Sequence, residues 1–226
     1  MPEHLVLDRP ESTIAVLTLD RPDRKNALSI ALRDEISDAL DELTGDPELK
    51  VLVLTGAGSA FCAGFDLGEF DQAFEDPAFA ERLWASSDRY HRTVLHFPPP
   101  TIAAVNGPAL GGGFDLAIMC DLRVASTTAR FAHPEYAFGD VVYGPLRDLV
   151  SGAVARDLCL TGRPVDASEA LALRLVSYVV EPDELSERAL DLARTVAAAP
   201  RDNLLRTKAK ALRHAGLDPG EATLDL

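Results

Sequence analysis

The runs "VLVLTG" (51–56) and "TIAAVNG" (101–107) are apolar almost from end to end, and each passes into a loop of small residues. A strand with one wet face alternates apolar and polar residues. A strand apolar on both faces must be covered on both, as in parallel sheets flanked by helices. The same succession of apolar strand, glycine-rich turn and helix over 51–70 and again over 101–120 predicts an α/β fold. No exact repeat, linker or low-complexity tract divides the 226 residues, so one domain spanning 1–226 is expected, with a core of about 5–195 and a helical segment at 196–226.

Other segments fill in that frame. "STIAVLTLD" (12–20) is β-branched and aliphatic and ends at the turn signal "DRPD". Leu32, Ile36, Ala39, Leu40 and Leu43 share one helical face in a segment 29–43, with Ser29 as its cap. Asp76 and Pro77 open a long helix reaching about Phe97, and the prolines at 98–100 must stop it because each lacks a donor. Helices are expected over 112–120, 145–160, 182–198 and 202–214, and Asp166 with Glu169 forms a capping-box-like pair. "DLRVAS" and "RFAHPE" read as short strands or edges.

A net charge of −14 sets most of the surface against nucleic-acid phosphates and excludes that partner. The apolar runs are far shorter than a bilayer span, and "MPEHLVLDRPE" is not a basic leader entering an apolar one, so no membrane partner is expected. Cys62, Cys120 and Cys159 lack CxxC spacing, which argues against a disulfide framework or zinc site and for a reduced, cytoplasmic setting. Arg21, Arg24 and Lys25 cluster in "LDRPDRKNALS"; taken alone, they read as a solvated basic turn.

The two glycine turns invite a chemical reading. Glycine removes the Cβ that would block a backbone N–H, and a helix start leaves its first N–H groups unpaired. Residues 111–113 would therefore suit a developing anion, and "FCAGFDL" could offer the N–H of Phe65 in the same way. Either turn alone is better explained by close helix–strand packing. A dinucleotide fingerprint fails at Phe61, where a third glycine is needed, and no GxxxxGK[ST] occurs.

"RKNALS", "VLTGAGSAFCAGFDL", "AVNGPALGGGFDLAIMCDLRVAS", "FAHPE" and "LTGRPVDASEALALRLVSYVV" follow one another in that order. Together they closely resemble the enoyl-CoA hydratase/isomerase (crotonase) superfamily from about residue 5 to 210. The resemblance implies a spiral of β-β-α units with C-terminal oligomerisation helices, assembled as a homotrimer or hexamer. It implies an acyl-CoA substrate and no cofactor, coenzyme A being part of the substrate, and no metal. The thioester oxygen would sit between the N–H groups of Phe65 and Gly112. Asp66, Leu67 and Gly68 would line the CoA and thioester site with Phe65, and Ala63 would meet the adenine. Arg24, Lys25 and Ala27 would lie on the CoA side, the two cations near its phosphates. Glu135 and Asp115 match the two family acids, one expected to stay protonated because the two repel each other's ionisation.

The sequence departs from the family at three places. Asp115 stands where hydratases usually carry Glu, which retracts the carboxylate by about 1.5 Å. "GDVVYGPLRDLVSG" (139–152) replaces the "PGxGGTxRLxRxVG" stretch that shapes the acyl end, and Tyr143 stands where dienoyl-CoA isomerases carry a further Asp. The sequence given stops at 226, earlier than many members. His133, just before Pro134 and Glu135, could donate a hydrogen bond in the site but reads first as a structural or rim histidine, and Cys62 reads as a packing residue. Reversible hydration of a 2-enoyl-CoA is the leading expectation. The alternatives are double-bond isomerisation and a catalytically weak acyl-CoA-binding paralogue.

Overall fold

The computed structural model describes residues 3–218 and 222–226. A hairpin of β1 (Leu5–Glu11) and β2 (Ile14–Leu19) leads to α1 (Ile30–Thr44) and β3 (Val51–Gly56). Helices α2 (Leu67–Glu75) and α3 (Pro77–Leu95) precede β4 (Thr101–Val105), the short β5 (Pro108–Leu110) and α4 (Gly112–Met119). Next come β6 (Leu122–Ser126), β7 (Arg130–Ala132), α5 (Gly144–Leu149), α6 (Gly152–Thr161), β8 (Val165–Asp166) and α7 (Ala167–Ala172). The chain continues through β9 (Tyr178–Val180), α8 (Leu185–Ala197) and α9 (Arg201–Ala215).

The main sheet has the order β1-β2-β3-β4-β6-β9, parallel throughout except for the β1–β2 hairpin. A second sheet, β5-β7-β8, is continued by the parallel bridges Cys62–Ala109 and Leu28–Phe65. Each turn of the chain thus gives one long strand to the first sheet, one short pairing to the second, and then a helix. This is the crotonase-like spiral of β-β-α units. The apolar runs behave as their composition requires: Val51 and Val53 pack with Ile102, Ala104 and the α8 residues Leu185, Ala189 and Ala193. Leu52, Leu54 and Ala103 face the opposite cluster, with Leu32 and Ile36 of α1, Tyr90 and Val94 of α3, and Phe114 of α4.

Local chemistry sets the helix starts. Ser29 accepts from the N–H of Leu32 at 3.2 Å, Asp76 from Ala78 and Phe79, and Asp166 from Glu169. Glu169 does not return the favour; its carboxylate pairs with Arg163 at 2.8 Å instead. Residues 145–160 form two helices where one was expected. Val150 is extended and Ser151 accepts from Val154 N–H, because Ser favours a cap and the following Gly152 weakens a helix interior. β1 escapes the pattern because it is a mostly exposed edge strand without alternation, and α2 escapes it because none of its residues is buried. Leu226 is buried, and its backbone oxygen accepts from Tyr143 and Gly144 at the head of α5.

Asn26 joins two loops that carry the future site. It is fully buried with φ +57°, in the left-handed region that Asn tolerates better than most residues. Its side chain accepts from Arg21 N–H at 3.0 Å and donates to the carbonyls of Ala57 and Ala60 at 2.9 Å and of Phe61 at 3.2 Å. Asn26→Ala leaves these groups unpaired in a dry interior and is expected to cost about 2–4 kcal/mol in chemical denaturation.

Candidate active site

The site is assembled where the head of α4 meets the segment after β3. Leu110 N–H donates to Cys62 O at 3.0 Å, and a Cβ on Gly113 would lie 2.2 Å from that same oxygen. Only glycine permits this approach. Gly111, with φ +52°, caps α4 and donates its N–H to Ala132 O at 2.9 Å, tying α4 to the end of β7. Beyond β7 the chain presents His133 and then a short 3-10 turn, Pro134–Ala137, that carries Glu135. The Glu135 carboxyl packs against Gly111, with Oε2 3.0 Å from where a Cβ would stand.

Asp115 in the first turn of α4 is 4 % exposed, and its Oδ1 lies 2.9 Å from Nε2 of His133, itself 1 % exposed. The imidazole lies against Phe114, with ring centres 4.6 Å apart. Its other nitrogen, Nδ1, has no hydrogen-bond partner, and the Cys159 thiol is the polar group beside it. Glu135 Oε2 is also buried without a partner. Burial pulls the His133 imidazolium down, but the Asp115 bond, Cys159 and the charges of Asp115 and Glu135 outweigh it and push His133 up to about 10. Burial raises Glu135 from 4.5 to about 7; His133 lowers it and Asp115 raises it further. His133 is therefore a member of the cluster, not a rim residue: it is bonded to Asp115 and lies in the same group as Glu135.

Ligand-type atoms of Asp115, His133 and Glu135 lie within 4.8 Å of one another, close enough to share a metal ion. The Nε2–Oδ1 bond at 2.9 Å, however, already engages His133 and Asp115 with each other. The arrangement suits proton transfer better than metal ligation. Tyr90 and His91 of α3 close the interior behind it, both buried.

Phe65 N–H and Gly112 N–H donate to no partner among the hydrogen bonds of the described residues. The amide nitrogen of Gly112 is 3.3 Å from where a Cβ on Gly64 would stand, so the two unpaired donors belong to one locality. The Phe65 ring lies against Gly112 Cα and carries the guanidinium of buried Arg33 4.6 Å above its centre. Ala63 N–H donates to Lys25 O and Leu28 N–H to Gly64 O, which lays the basic turn alongside 63–66. Arg24, Lys25, Leu67 and Gly68 are exposed there, Ala27 and Ala63 are half-buried, and Asp66 caps α2 while meeting Arg21 at 3.5 Å. Asn26, Arg33 and Glu69, which support this wall, were not legible as site residues; the left-handed turn at 25–26 and a lone Arg on an apolar helix face were the available signals.

The family model described as enoyl-CoA hydratase/isomerase matches residues 9–225. This chain belongs to that family. It is an enzyme of the enoyl-CoA hydratase/isomerase type, and its relatives are named accordingly. The short-chain-enoyl-CoA hydratase of Clostridium acetobutylicum is 35 % identical over 86 % of this chain and 76 % of its own length. The crotonyl-CoA hydratase of Syntrophomonas wolfei is 37 % identical over 81 % of this chain and 71 % of its own. The crystal structure of an enoyl-CoA hydratase from Bacillus anthracis superposes with a TM-score of 0.88 at 30 % identity, covering 96 % of this chain and 85 % of that one. Among the described residues, no helix of this family member is long and apolar enough to cross a membrane.

A carboxyl raised by folding from 4.5 to about 7 favours the native state less and less as pH climbs between those values. Above about 7 the penalty is complete. Glu135→Gln removes it and is expected to stabilise the fold by roughly 2–3 kcal/mol at pH 8. The advantage should vanish at pH 4, where both side chains are neutral; thermal unfolding at the two pH values checks the sign.

Proposed function

We propose that this chain adds water reversibly across the 2,3 double bond of an enoyl-CoA thioester. The observation carrying this reading is an enclosed, unpartnered oxygen of Glu135 beside the unpaired N–H groups of Phe65 and Gly112. In the hydration direction the two N–H groups hold the thioester oxygen. The Glu135 carboxylate takes a proton from water as the water oxygen bonds to C3, and the double-bond electrons pass to the thioester oxygen as an enolate. Protonated Glu135 then returns a proton to C2, so that one water is added and the carboxylate is regenerated. A carboxyl that titrates at about 7 can serve in both halves of this cycle. Asp115, held at Oδ1 by His133, has Oδ2 outside that bond to orient the water. Arg24 and Lys25 attract the CoA phosphates, and Ala63 meets the adenine through its backbone. The relatives named as hydratases support the reaction class.

A second reading is double-bond isomerisation between 3-enoyl and 2-enoyl thioesters. The observation favouring it is the engagement of Asp115 by His133, since moving a proton along the acyl chain needs one free carboxylate. Crotonyl-CoA, a longer trans-2-enoyl-CoA and a 3-enoyl-CoA separate the readings by mass spectrometry. A gain of one water supports hydration, and double-bond movement at constant mass supports isomerisation.

Two outcomes are expected in that assay. Glu135→Gln lowers kcat by about 10²–10⁴-fold while CoA-thioester binding persists; near-native turnover would sink the mechanism. Arg24→Glu combined with Lys25→Glu raises KM several-fold with kcat little changed, and added salt narrows the difference because exposed charges are screened over about 8–10 Å.

A further inference from the structure

Three ionisable groups form the centre where the proposed chemistry uses two, and the extra one is His133. Its Nε2 bonds Asp115 Oδ1 at 2.9 Å, its ring is buried against Phe114, and Glu135 lies within the same 4.8 Å cluster. We propose that His133 is a positioning residue of this centre: as the cation between the two acids it fixes Asp115 in an ion pair and keeps Glu135 as the sole proton carrier. The proposal rests on the reading that Glu135 moves the proton.

The surrounding groups leave no other cation to do this among the described residues. From α3, Tyr90 and His91 face Asp115; burial holds the phenol neutral and pushes the His91 imidazole down toward its neutral form. The buried Cys62 thiol is pushed up to about 12. On α6, Cys159 adjoins His133 Nδ1 and has no positive form. Arg33 stacks on Phe65 and donates to Leu28 O, Leu83 O and Ser86 Oγ. Take the imidazolium away and two carboxyl groups face one another in a dry site, where like charges oppose ionisation.

A merely structural His133 would change stability or kcat uniformly with pH, whereas this role moves the acid limb of kcat/KM. In His133→Gln the limb should shift upward by about 1–3 pH units, since removing an opposite charge at this range has that effect. At a pH well below the limb a shift of one unit lowers activity by roughly 10-fold, and at the native midpoint by roughly 5-fold. Adding Asp115→Asn to His133→Gln removes the opposing carboxylate too and should return the limb toward its native position. An unmoved limb in His133→Gln, with Glu135→Gln inactive, overturns this inference and leaves the reaction assignment standing. An active Glu135→Gln overturns the assignment itself. Should His133→Gln fail to fold, wild-type protein labelled with 15N-histidine decides. His133 is expected to carry both ring protons at pH 8, and a neutral imidazole there overturns the proposal.

Discussion

The approach of α4 to the Cys62 carbonyl organises everything downstream. With the place of a Gly113 Cβ only 2.2 Å from that oxygen, any larger residue must move the helix or the strand segment. This contact joins two successive turns of the spiral through Leu110 N–H to Cys62 O and the Cys62–Ala109 bridge. It puts the first, unpaired N–H of one turn beside the N–H of Phe65 on the other. Gly111 then lets the chain enter α4 with a positive φ and leaves space for Glu135 from the next turn. Thus three consecutive glycines serve three distinct neighbours: Glu135, the Phe65 ring and the Cys62 carbonyl.

Electrostatics in the resulting pocket follow from how little water reaches it. A buried ion pair gains Coulomb energy but loses hydration, so it is a weak source of stability by itself. Its value here is in setting neighbours' charge. Asp at 115 is part of this device: a Glu would reach about 1.5 Å farther and crowd the imidazole that now bonds Oδ1 at 2.9 Å. The shorter acid and His133 therefore make sense as a pair. Read separately, one is a weakened catalytic residue and the other a packing histidine.

Much of the frame was legible because its causes are local. Continuous apolar strands, Ser29 and Asp76 as caps, and the three prolines at 98–100 act within a few residues of where they stand. Residues 145–160 misled because apolar spacing outweighs one Ser-Gly step until the chain must turn. β1 and α2 were invisible to burial patterns since one is largely exposed and the other has no buried residue. The site divides in the same way. Gly112, Asp115, Glu135 and Phe65 stand out by motif and loop chemistry. The bond from His133 to Asp115 spans 18 residues and two elements, and Asn26 reaches 31 to 35 residues to its carbonyl partners; no spacing rule reports either.

The wall beside the two unpaired N–H groups rests on a buried guanidinium. Arg33 is fully enclosed, and burial lowers its pKa despite Glu69 at 3.8 Å. It is held by two carbonyls and Ser86 Oγ, while Glu69 accepts from Ile30 N–H at the start of α1. Such a network is costly in a core unless every polar group is satisfied. Here its product is a flat charged surface on which the Phe65 ring rests, with Phe70 edge-on to that ring and His91 tilted beside it. The ring is thus packed between the Arg33 guanidinium and Gly112. In the proposed hydration, donors that need not reorganise would be the ones to stabilise an oxygen anion as it forms. Replacing this aromatic by a small side chain would leave the N–H in place while loosening the wall that aims it.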